Sequence, residues 1–370
     1  LEEDPQARVE FLFRVAFIQE ERLGDPVMAI QTLKEVLDVD PGSEKALRSL
    51  ARLYEVRGEW FPLAQIYRKE LEQIEEPGQR VETLCRLGEI LQSRLEAAEE
   101  GINYLAEALE LEPLHRGTVE ALEVHLTGEA EQRRRVALLL QPFYERTESW
   151  ERQVQVLEIL LADEQDLAVR VGLLRRLMTL QERRFDDLDA AFRAGTSVLA
   201  LTPEDPEIRR ELHRLAESLD RGDELAERLA EAADAARERG DDQELEVELR
   251  WELGQLLDEE IGRPEQAETH LRRILELRPD HREAFDTLER ILRDGGAWPE
   301  LRALLEQRKE MTPEAAARRD ILLQISALDE NVLEDIPAAI AAYEQILELE
   351  AGHPGATKAL ERHYADEERR

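Results

Sequence analysis

Cysteine, lysine and asparagine are almost missing from this chain of 370 residues. Cys85 stands alone, which excludes a disulfide framework and a thiolate metal cluster. It lies in a helical pattern beside Leu84 and Leu87 and reads as a half-buried small hydrophobe. No apolar run reaches the ~18 residues that a membrane span needs, so direct membrane insertion is excluded. A glycine-rich phosphate loop, a G-x-S-x-G elbow and an H-E-x-x-H helix are all absent, leaving catalysis and cofactors without a visible home. Five lysines stand against 44 arginines, and only Asn103 and Asn331 represent asparagine. That skew points to a bacterial source. The acidic start at Leu1 carries no secretory signal, which sets the expectation of a cytoplasmic protein, although a signal or a further domain upstream of Leu1 would be out of view.

Acid is abundant. The chain holds 85 acidic and 49 basic residues, a formal charge of −36. The excess is spread as −7 over residues 1–78, −9 over 79–165, −6 over 166–243 and −14 over the rest, so no basic block survives. Nucleic acid and anionic lipid would be repelled, whereas a cationic protein surface would be steered inward. Aromatics are only 5% of the chain, and Leu, Ala, Glu and Arg dominate, a helical composition.

A short phrase recurs: LDVDP ends at Pro41, LELEP at Pro113, LALTP at Pro203, LELRP at Pro279 and LELEA at Ala351. The intervals are 72, 90, 76 and 72 residues, the mark of stacked repeats. Apolar residues within the first period fall at spacings of three and four: Val9, Leu12, Val15 and Ile18, then Ala29, Leu33, Val36 and Leu37. Leu47, Leu50 and Tyr54 mark a third helix, and Leu63, Ile66, Tyr67 and Leu71 a fourth. Each is an amphipathic helix that must bury its stripe against neighbours.

Asp25-Pro26, Arg263-Pro264 and Ile336-Pro337 place proline at helix starts, where its missing N–H costs nothing. Asp205-Pro206 and His353-Pro354 read as caps, and Asp280 with Glu283 as a capping box. The 90-residue interval exceeds 72 by 18, one helix with its loop, which falls at residues 114–131. Thr118 to Leu126 is the expected extra helix, before a break at Thr127-Gly128. His115, His281 and His353 each follow the closing position by two residues, so their recurrence is structural and no metal site is expected.

Leu87-Gly88, Gly101, Leu105, Ala108 and Pro113 resemble the tetratricopeptide repeat, as do Leu253-Gly254, Ala267, Leu271, Ile274 and Pro279. The second hairpins match through Leu50-Ala51, Tyr54, Ala64 and Tyr67 and carry Trp60, Trp150 or Trp298 at the turn, with Leu225 in the third. The resemblance implies an all-α fold, a right-handed α-α superhelix of about 20 antiparallel helices. It would run as one array over 1–370, with sub-units 1–78, 79–165, 166–243, 244–313 and an incomplete 314–370.

The resemblance also implies a concave wall lined by the first helix of each hairpin. That projection puts Phe13, Phe17, Arg48, Arg52, Cys85, Glu89, Arg175, His213, Trp251 and Gln255 toward a groove. Phe13, Phe17 and Trp251 stand out as aromatic anchors in a charged wall. The expected function is a non-catalytic scaffold that holds a protein or peptide, basic or with apolar anchors. The alternative is a regulatory arm packed against an enzyme domain of a larger polypeptide.

Overall fold

The computed structural model describes residues 5–240 and 243–367. Among them are twenty α-helices and no strand. Contacts divide the chain into two compact units, Leu1–Leu180 and Gln181–Arg370. In the first run α1 (Pro5–Glu21), α2 (Pro26–Val39), α3 (Glu44–Arg57), α4 (Trp60–Leu71), α5 (Pro77–Arg94), α6 (Ala98–Leu111), α7 (Arg116–Glu123), α8 (Ala130–Arg146) and α9 (Trp150–Ala162). The next helix, α10 (Leu167–Phe185), contains the division. The second unit holds α11 (Leu188–Leu201), α12 (Pro206–Leu219), α13 (Gly222–Arg239), α14 (Gln243–Gln255), α15 (Pro264–Leu277), α16 (Arg282–Asp294), α17 (Trp298–Met311), α18 (Ala315–Asn331), α19 (Ile336–Leu349) and α20 (Pro354–Glu367).

Local chemistry sets these boundaries. Asp25 accepts from the N–H groups of Val27 and Met28 at 3.1 and 3.0 Å, satisfying donors that the first turn of α2 leaves open. Gly58 ends α3 at a φ of 68°, a left-handed conformation that favours glycine. Trp60, Trp150 and Trp298 each open a helix, and Leu225 lies fully buried near the start of α13. The cap of α16 is His281, whose Nδ1 accepts from the Ala284 N–H at 3.1 Å, and not the Asp280 that the capping-box pattern suggests. His115 and His353 make the same bond to Thr118 and Ala356, at 3.2 Å each. The recurring histidine is a recurring helix cap, with the ring proton on Nε2.

Each helix packs mainly on its neighbours in the chain. One apolar cluster runs from Leu12 and Ala16 of α1 through Leu50 and Leu63 to Leu91 of α5. A second runs from Cys85 and Ile102 through Leu122 and Leu140 to Leu160 of α9. Each fully buried leucine contributes roughly 1.5–3 kcal/mol. Helix α5 lies close on α6, where a Cβ on Gly88 would stand 2.6 Å from Leu105 Cγ and one on Gly101 would stand 2.8 Å from the Gly88 carbonyl. Only glycine admits that contact.

The short α7 runs directly into one turn of 3-10 helix, Val124–Thr127. Polar contacts fasten α7 to its neighbours. The Tyr144 hydroxyl of α8 donates to Glu123 at 2.6 Å, and Gln92 of α5 donates to the Ala121 carbonyl at 3.1 Å.

Candidate functional site

The first helices of the first two hairpins flank an open cavity of about 700 Å³, with Leu33 of α2 at its floor side. Its lining includes Glu10, Phe13, Phe17 and Glu20 of α1 and Lys45, Ser49 and Arg52 of α3. Phe13 and Phe17 are one helical turn apart and so share a face. Phe17 is 61% exposed, whereas Phe13 is half-buried against the core with the Lys45 ammonium 4.5 Å from its ring centre. That is cation–π distance.

A second cavity of about 900 Å³ lies between α3 and α5, and Arg52 lines both. Glu44, Glu55, Glu70, Glu75, Glu76 and Glu82 line it against Arg48, Arg52 and Arg86, six carboxylates to three guanidinium groups. Burial pushes the Glu70 carboxyl above the ordinary range, although Arg48 and Arg86 pull it down. Burial likewise raises the Tyr67 hydroxyl. A cation entering this cavity would meet uncompensated negative charge in a partly desolvated setting, where Coulomb attraction is strengthened.

The arginines here have partners. Arg48 pairs with Glu44 one turn away. Arg52 donates to Glu20 at 2.6 Å, and that bond belongs to a series: Arg214 donates to Glu182 at 2.6 Å, Arg290 to Asp258 and Arg362 to Glu330. The acceptors at 20, 182, 258 and 330 follow the repeat's own intervals. The interrupted repeat fills the missing place with Gln92 facing His125. One polar rung therefore ties successive first helices together in each repeat.

The other projected residues are dispersed. Cys85 is buried in the core, and burial pushes its thiol up. Glu89 is exposed on α5, its carboxyl raised by desolvation and by Glu82 while Arg86 opposes. Arg175 is half-buried on α10, where its carbonyl accepts from Thr179. In the second unit His213 faces Glu252 at 2.8 Å, and that hydrogen bond raises the imidazole against the opposing effect of burial. Glu252 also takes Arg209 at 2.8 Å. Trp251 is half-buried with its ring 5.3 Å from His281, and Gln255 is exposed one turn along α14. The structure thus gathers Phe13, Phe17 and Arg52 in one cavity and Arg48 with Arg52 in the next.

Glu10, Arg14, Glu20, Lys45, Tyr67, Glu70 and Arg86 are among the other lining residues that escaped the projection from sequence. Glu10 and Glu20 could have been found from it, since spacings of three place both on the face of Phe13 and Phe17. Among the described residues no group of three His, Cys, Asp or Glu could hold a metal ion, and no helix is long and apolar enough to cross a membrane.

Residues 247–281, from α14 to the cap of α16, match the tetratricopeptide repeat family. The chain forms a tetratricopeptide-like helical repeat array. No curated protein matches it. Similar solved structures include the tetratricopeptide domain of P58(IPK), 15% identical over 96% of this chain and 96% of that one, with a TM-score of 0.23. A tetratricopeptide repeat protein from Parabacteroides merdae is 16% identical over 77% of this chain and 99% of that one, TM-score 0.27. Human IFIT1, a dimer with PPP-AAAA, is 15% identical over 94% of this chain and 73% of that one, TM-score 0.25.

Proposed function

We propose that this tetratricopeptide-like array is a non-catalytic protein-binding scaffold whose site is the pair of cavities between α1, α3 and α5. The partner is a protein segment carrying a basic side chain and an apolar anchor, and the setting is the bacterial cytoplasm. The observation that carries the reading is Phe17, a large aromatic left 61% exposed beside Phe13, with Glu10 and Glu20 flanking it and an acid-rich cavity adjoining. Exposed aromatics in a charged wall supply anchor energy, and the carboxylates select the sign of the partner. Phe13, Phe17, Arg48 and Arg52 are the residues assigned to it. Glu89, Arg175, His213, Trp251 and Gln255 lie outside both cavities and have no part in this proposal.

Selection from a random-peptide library on the intact protein tests the reading. Enrichment of sequences that combine Arg or Lys with Leu or an aromatic residue is the expected result. Enrichment of acidic sequences would contradict it.

A further inference from the structure

The cavity between α3 and α5 lies where two positions of the repeat have lost bulk. Ten residues past the closing position stand Glu123, His213, Glu289 and Glu361, but past the first of these positions the chain holds Ala51 instead. Thirty residues before the closing position stand Phe11, Leu173, Leu249 and Ile321, but α5 holds Thr83 there. Ala51 and Thr83 both line the cavity, one from each helix. Alanine leaves room, and threonine leaves a hydroxyl. Thr83 is only 8% exposed, yet its hydroxyl has no hydrogen-bond partner among the described residues and is open to the cavity. A hydroxyl taken from water without gaining a bond is unfavourable, so the place favours a group that can donate to it.

From α4, Tyr67 and Glu70 line the same cavity, three residues apart and so on one face. The arginines of the lining are committed: Arg48 to Glu44, Arg52 to Glu20 and Arg86 to Glu82. Glu55, Glu70 and Glu75 make no ion pair among the described residues, and of the three only Glu70 is half-buried. Burial disfavours the Glu70 charge more than Arg48 and Arg86 favour it, and a cation beside the carboxylate would reverse that balance. An unpaired carboxylate on α4 and an unpaired hydroxyl on α5 therefore open into one cavity.

We propose that this cavity seats an arginine side chain of the partner segment, its guanidinium held by Glu70 and Thr83 and its aliphatic stem lying along Leu47 and Ala51. This rests on the reading of the site as one for basic segments and narrows it to one residue type. A guanidinium presents five donors in a rigid fork, enough to meet a carboxylate with two parallel bonds and still reach a hydroxyl on a second helix. An ammonium is a point charge without that fork, so lysine gains less here.

The probes are acetyl-arginine amide and acetyl-lysine amide, titrated at constant ionic strength to about 50 mM into the intact protein with labelled alanine and threonine methyl groups. Saturable shifts of the Ala51 and Thr83 methyl signals are expected with the arginine probe, and binding of the lysine probe should be weaker by about threefold or more. Glu70→Gln should weaken the arginine probe about tenfold, and Thr83→Val, read at the Ala51 methyl, about threefold. Both substitutions preserve side-chain shape, so methyl signals remote from the cavity should stay in place. Neither probe carries an apolar anchor, and Phe17→Ala should bind acetyl-arginine amide as the parent does. Absence of a saturable shift, equal binding of the two probes, or binding indifferent to both Glu70→Gln and Thr83→Val would overturn the proposal. If basic peptides still bind through Phe17 in that event, the scaffold reading stands and the arginine seat alone is lost.

Discussion

The Arg52 guanidinium bonds Glu20 thirty-two residues away, and the same separation returns at Arg214 with Glu182, Arg290 with Asp258 and Arg362 with Glu330. These rungs differ in burial: the Glu20 side chain is 20% exposed and the Asp258 side chain 5%. Removing an arginine strands its carboxylate, and the cost grows with that carboxylate's burial. Arg52→Ala should therefore cost about 0.2–1 kcal/mol, as exposed pairs do, and Arg290→Ala up to about 3 kcal/mol. Urea titration of the two variants checks the order, and equal losses would contradict it.

Two histidines of the second unit should respond to pH in opposite senses. The hydrogen bond to Glu252 raises His213, whereas burial and Arg250 lower His270, with Asp234 opposing. The His213 contribution is fully present below the unfolded value of ~6.5 and is lost as pH rises through the raised folded value. For His270 stability is present above the unfolded value and is lost as pH falls through the depressed folded value. His213→Gln should thus be most harmful in mild acid, and His270→Gln should flatten the acid loss. Denaturation at about pH 5.5 and about pH 8 separates them.

The α5–α6 contact predicts that equivalent glycines are not equivalent in cost. A Cβ on Gly88 would meet Leu105 Cγ at 2.6 Å, but one on Gly254 would meet Leu271 Cδ2 at 3.3 Å. Alanine gains up to about 1 kcal/mol of helix propensity at either place, while overpacking costs about 1–3 kcal/mol. Gly88→Ala should be destabilising and Gly254→Ala close to neutral, measured by thermal unfolding.

The histidine caps give a further check. His281→Ala should cost about 1 kcal/mol by removing the acceptor for the Ala284 N–H, and His281→Asn should restore most of it. Because Trp251 packs beside the same ring, Trp251→Ala and His281→Ala should be non-additive in a double-mutant cycle.

Much of this architecture is written in local signals. Asp25-Pro26 announces α2 because a side-chain acceptor and a proline with fixed φ act within one turn. Phe13 and Phe17 share a face by spacing alone, and the 18-residue excess announces the short helix α7 with its 3-10 turn. What distant residues decide is not legible. Glu20 is 32 residues from Arg52 and His281 is 30 from Trp251, so neither pairing has a local signature. Asp280 looked like a cap because aspartate favours that place, but the helix begins one residue later and His281 holds it.

The proposed partner of the α1–α3–α5 face is a basic, apolar-anchored segment held through Phe17. Calorimetric titration of a library-selected basic peptide into the wild-type protein, Phe17→Ala and the Glu10→Gln/Glu20→Gln double variant tests it most directly. The prediction is a loss of more than about 1 kcal/mol in Phe17→Ala with the melting temperature unchanged, and a weaker salt dependence in the double variant. Equal affinity in all three proteins would contradict the claim.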